Sequence, residues 1–250
     1  MAKLQAQEKD LQELRDFQEK FAKQRVPSVL RKQEIYNYTL TKKPDKTTAM
    51  ITDDIQAVNI ADIWVDSENT HMQMSRYYER SLSGVIRYLG ATKDITWHVT
   101  EDIIADDLKQ VMDKNLIVQP ATVLVTGAGE LQKTHRVKKI FHVASVQGTL
   151  GFGYQPIPNI EACVTKSLIR ADSEDFKEVQ FRSILFPMMG TGTARGDLRE
   201  IAERLIHPAI SYLENTDNST IKQVYFLAGT DVELETCKAI LDASDVLVRS

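Results

Sequence analysis

The sequence predicts a three-layer α/β domain, a central sheet with helices on both faces. Candidate strands and helices alternate along most of the chain. Strand-like runs such as Ile63-Trp64-Val65, Val123-Leu124-Val125 and Val224-Tyr225-Phe226-Leu227 are continuous rather than alternating in polarity. Strands covered on both faces read this way. Three strand ends run into polar or glycine turns, at 66–70, 127–130 and 190–196. In open sheets of this kind a ligand sits outside the carboxyl ends of the strands.

Taken in order, Ala2 to about Gln24 carries Leu4, Leu11, Leu14, Phe17 and Phe21 as one helical stripe, and Pro27 ends it. So short a stripe is marginal as an isolated helix, so it either packs on the body or pairs with another chain. Residues 1–38 are expected to form this arm and its connection, 39–46 a polar linker, and 47–250 the domain proper. Within the domain, 48–52 and 58–65 read as strands and Arg76–Leu89 as a helix with Gly90 at its end. A helix is expected from Thr100 to Asp113, then strands over 121–126 and 137–143 and a helix over 159–171. The strand Phe181–Pro187 precedes a helix from Asp197 to Leu213, and a final strand, 221–227, precedes a helix over 231–247.

Composition narrows the function. The 250 residues are 42% hydrophobic and 26% charged, as in ordinary globular proteins, and the net charge of −4 disfavours nucleic acid as a partner. Cys163 and Cys237 lack metal-ligand spacing and read as helix thiols, and the five histidines are scattered, so no metal is expected. No run of about 18 apolar residues and no signal-peptide core is present, so the chain as given is expected to be cytoplasmic.

The segment from Phe181 to Leu205 is the most informative. A buried strand leads through Gly190-Thr191-Gly192-Thr193-Ala194-Arg195-Gly196 into an amphipathic helix. Such a turn lets backbone N–H groups converge near a helix N-terminus, an arrangement that cradles an anion such as phosphate.

The order of these pieces resembles the macro domain, the ADP-ribose-binding αβα module with a mixed central sheet. The resemblance spans about Thr47 to Ser250. It rests on Ile51-Thr-Asp-Asp54-Ile55, on the strand ending Asp66-Ser67-Glu68-Asn69, on the 190–195 loop, on the strand containing His142, on the helix containing Cys163, and on Val224–Leu227 with its following helix. It implies that Asp54, with Ile55 beside it, accepts the adenine amino group, an acceptor-only task that suits a carboxylate. It places Ser67, Glu68 and Asn69 near the distal ribose. It wraps Gly190, Thr191, Gly192, Thr193, Ala194 and Arg195 around the diphosphate, with Arg195 adding charge. His142 reads as a core histidine.

Where hydrolytic macro domains carry a glycine-rich stretch after the first loop, this chain has His71-Met-Gln-Met-Ser-Arg76-Tyr77-Tyr78-Glu79-Arg80. Those groups suit extra walls around something attached beyond the distal ribose, with Arg76 and Arg80 as its readers. Asp66 replaces the family's first Asn and Glu68 its middle alanine. The departures resemble the divergent macro domains of Thoeris antiphage defence effectors. That resemblance implies a non-catalytic sensor, without a cofactor, for an ADP-ribose-derived signal made by a TIR enzyme, and an oligomer assembled on binding. It implies membrane association only if a preceding segment carries helices. The alternative is a hydrolase of ADP-ribosyl or O-acyl-ADP-ribose substrates, for which Glu68 and Asp66 are candidate bases by location.

Overall fold

A computed structural model describes residues 33–52, 54–79, 81–149, 153–191 and 197–250. The amphipathic stripe of residues 2–24 lies outside the described residues.

The layered α/β architecture is as expected. Among the described residues, nine strands share one mixed sheet. In chain order they are β1 (Glu34–Leu40), β2 (Lys43–Thr52), β3 (Ile63–Asn69), β6 (Val123–Gly127), β7 (Lys139–Thr149), β8 (Gly153–Pro156), β9 (Ser183–Pro187), β10 (Gln223–Ala228) and β11 (Leu247–Arg249). The short β4 (Thr92–Lys93) and β5 (Val99–Glu101) pair apart from it. The order across the sheet is β11-β1-β2-β10-β9-β3-β7-β6, with β8 pairing β7. The five strands from β2 to β7 are mutually parallel, so their carboxyl ends share one edge. Antiparallel strands flank this parallel core on both sides.

Alternate residues of β3 divide the core. Ile63 and Val65 pack under α4 (Glu161–Ala171), α5 (Leu198–Asn215) and α6 (Asp231–Asp242). Trp64 packs on the other face under α1 (Leu82–Gly90), α2 (Ile103–Met112) and α3 (Leu131–Thr134). Both faces being apolar is what the continuous runs required.

Several boundaries differ from expectation. The polar stretch 39–46 is no linker: it completes β1, turns, and enters β2. Lys46 is buried there, and its ammonium donates to Leu213 O at 3.0 Å and to Thr216 O at the C-terminal end of α5. A cation at that end offsets the helix dipole. Residues 34–38, expected as connection, are strand, anchored by Tyr38 Oη donating to Asp242 Oδ1 at 2.8 Å. The final helix stops at Asp242, and Leu247–Arg249 returns as β11 on β1. The helix expected from Arg76 begins only at Leu82, where Ser81 Oγ accepts from Gly84 N–H at 3.1 Å. The preceding residues fold over that helix end: a Cβ at Gly84 would lie 2.7 Å from Arg76 O and 2.6 Å from Glu79 O.

Candidate functional site

β3 and β9 pair at Ile63–Ile184 and Trp64–Leu185, and their pairing stops there. β9 continues beside β10 to Pro187, while β3 continues beside β7 to Asn69. The sheet therefore opens toward its carboxyl edge between these two strands. α1, which follows β3, covers one face, and α5, which follows β9, covers the other. A strand pair whose connections diverge to opposite faces is where open α/β sheets form a ligand crevice.

The expected site residues fall around this edge unequally. Asp54 stands after β2, exposed, and caps a 3-10 turn: its Oδ1 accepts from Gln56 N–H at 3.1 Å and its Oδ2 from Gln56 Nε2 at 2.8 Å. Ile55 beside it is buried against the α1 face. Asn69 ends β3 in a side-chain-closed turn, Oδ1 accepting from His71 N–H at 2.8 Å.

Gly190 follows β9 with φ +84°, and a Cβ there would lie 2.9 Å from Ile160 Cδ1. Only glycine meets both demands. Thr191 Oγ1 lies 2.7 Å from Met188 O and 2.9 Å from Glu233 Oε1, sharing its hydrogen between them. Gly192, Thr193, Ala194 and Arg195, and likewise Arg80, lie outside the described residues. α5 opens with Asp197 Oδ1 accepting from Glu200 N–H at 2.8 Å. A carboxylate thus already occupies the positive end of the α5 dipole. Arg76 is exposed, its guanidinium donating to Tyr78 Oη at 2.7 Å.

The turn expected at 66–70 is mostly strand. Ser67 turns toward the α4–α5 face, its hydroxyl 2.5 Å from Ser145 Oγ. Asp66 and Glu68 turn the other way, 0% and 2% exposed, and β7 sets His142, 0% exposed, directly opposite Asp66. Glu68 Oε1 accepts from Ser83 Oγ at 2.9 Å. Burial raises the Asp66 carboxyl to about 6. Burial, then the Asp66 charge, holds Glu68 well above the usual carboxylate range. Burial lowers His142 to about 3, so its imidazole is neutral. The histidine was legible as a core residue. Its meeting with two carboxylates was not, because more than seventy residues separate it from them and only strand register joins them.

This architecture, with its crevice between diverging parallel strands, is the macro-domain fold. The family model described as "Macro domain" matches residues 99–205. No curated protein matches the chain. Among solved structures, the Oceanobacillus iheyensis macrodomain with ADP superposes at TM-score 0.61 and 15% identity, covering 84% of this chain and 96% of that one. The same macrodomain with MES bound gives 0.60 at 15% identity over the same shares, 84% and 96%. The Trypanosoma brucei macrodomain in complex with ADP-ribose gives 0.55 at 14% identity, covering 77% of this chain and 68% of that one.

Proposed function

We propose that this chain binds an ADP-ribose-type nucleotide in the crevice between β3 and β9 and acts as a sensor rather than a hydrolase. The observation that carries the proposal is the parting of those strands after Trp64 and Leu185, with Asp54, Asn69 and the Gly190–Thr191 turn along one edge. An adenosine end would meet Asp54 and Ile55, and the diphosphate the main chain of 190–195. Similar folds hold ADP and ADP-ribose. The burial of Asp66 and Glu68 supports binding over turnover, since a general base has to reach a water or substrate.

The ligand is an ADP-ribose derivative with a further group, such as an amino acid or imidazole, on the distal ribose. The 71–79 segment replaces a glycine loop with bulky polar residues, and its exposed Arg76 is the candidate reader of that group. In the Thoeris-type reading a TIR enzyme makes the signal and binding promotes assembly of the effector. A ligand drives assembly only by binding the assembled state better.

Calorimetry with ADP-ribose and with distal-ribose conjugates, using Asp54→Ala as control, tests the reading. Tight conjugate binding, weaker ADP-ribose binding and loss in the variant are expected. Silence toward every ligand overturns nucleotide binding, and release of product during the titration overturns the sensor in favour of a hydrolase.

A further inference from the structure

Asp66, Glu68 and His142 offer one ligand atom each, all within 4.8 Å of one another, in the buried layer between the sheet and α1–α3. The strand period puts the two carboxylates on one face, and the parallel register brings the imidazole beside them.

Thr126 Oγ1 lies 3.0 Å from Gly127 O, to which it donates, and 3.0 Å from His142 Nε2. With its hydrogen on Gly127 O, the hydroxyl accepts from Nε2–H and leaves a lone pair on Nδ1, which has no hydrogen-bond partner among the described residues. Nδ1 faces Asp66 Oδ2 at 3.8 Å, and neither Asp66 oxygen has a hydrogen-bond partner among the described residues. Buried acceptors facing one another are costly unless a shared proton or a cation lies between them. At 3.8 Å the gap exceeds a hydrogen bond. An ion about 2.0–2.2 Å from nitrogen and oxygen spans it.

We propose that Asp66, Glu68 and His142 bind a divalent transition-metal ion of the zinc type beneath the crevice. One imidazole with two carboxylates suits zinc, manganese or ferrous iron better than calcium, which prefers an all-oxygen shell. The outer supports that orient such ligands are present: Thr126 holds the imidazole tautomer, and Ser83 of α1 holds Glu68. The ion would tie β3, β7 and α1 together one residue before Asn69, and so fix the strand end at the mouth of the crevice.

The test is the metal content of the full-length protein grown with zinc, measured by plasma mass spectrometry after desalting, with cobalt substitution as a spectroscopic readout. About one ion per chain is expected, with visible cobalt bands of an imidazole-containing site. His142→Gln and Asp66→Asn are expected to lose both, and Ser83→Ala, with the ligands intact, to weaken retention about 10–100-fold. Circular dichroism separates loss of metal from loss of fold: if both ligand variants are unfolded, the Ser83→Ala retention decides. Trace metal in the wild-type protein, metal undiminished in folded ligand variants, or unchanged retention in Ser83→Ala overturns the site. None of these readouts depends on nucleotide binding.

Discussion

Thr191 and Glu233 join two loops that the chain order keeps apart: Thr191 Oγ1 lies 2.9 Å from Glu233 Oε1, linking the turn after β9 to the first turn of α6. The same carboxylate closes a capping box. Glu233 Oε2 accepts from Gly229 N–H at 2.8 Å and Thr230 N–H at 3.2 Å, while Thr230 Oγ1 accepts from Glu233 N–H at 3.2 Å. Glu233 thereby serves helix stability and crevice shape together.

Glu233→Ala is expected to cost about 1 kcal/mol of stability through the lost cap. It also releases Thr191, so nucleotide affinity falls by more than the small stability loss explains. Glu233→Gln keeps acceptor geometry and is expected to restore most of both. Urea unfolding and calorimetry on the pair check this, and equal affinities in wild type and Glu233→Ala would remove Glu233 from the crevice.

Gly190→Ala places a Cβ against Ile160 on a backbone at φ +84°. A cost of about 1–3 kcal/mol is expected from the unfavourable conformation alone. Because the shift occurs where the diphosphate would lie, binding weakens for plain ADP-ribose and for conjugates alike. A thermal melt with a titration of both ligands measures it.

Gly84→Ala acts on the opposite wall. Its Cβ would drive into the carbonyls of Arg76 and Glu79, displacing the segment that carries Arg76. The expected result is selective: affinity for the distal-ribose conjugate falls while ADP-ribose binding changes little. A uniform loss would assign the 76–79 turn to general stability instead.

Cys163 and Cys237 are both buried, and burial pushes each thiol up to about 12 from a usual 9.0. Between those values the unfolded chain releases thiol protons that the folded chain keeps. The native state therefore binds more protons, and stability falls as pH rises, by roughly 1.4 kcal/mol per pH unit per thiol at the steepest. Cys163→Ser and Cys237→Ala variants are expected to flatten denaturation midpoints measured from pH 8.5 upward. In the native protein at pH 8 both thiols are expected to label far more slowly than in urea.

Local pattern made the parallel core of this protein legible. The continuous apolar runs place β3 and β10, and the Asp197 cap places α5, because burial on both faces and helix capping leave marks within a few residues. The glycine turn at 190 was legible for the same reason, since a left-handed φ selects glycine locally. Glu34–Leu40 and Leu247–Arg249 were not: the first becomes a strand by pairing with β2, and the second only by reaching β1 from the far end of the chain.

Asp66-Ser-Glu-Asn reads as a turn in isolation, because its residue types favour turns. Only the pairing of β3 with β7 makes it strand, buries both carboxylates and sets His142 opposite Asp66. The sequence by itself determined the layers, the core strands along the chain and the chemistry of their ends. The tertiary structure decided which of those ends meet. Register and the parting of β3 from β9 depend on contacts between residues far apart in the chain, and no local spacing encodes them.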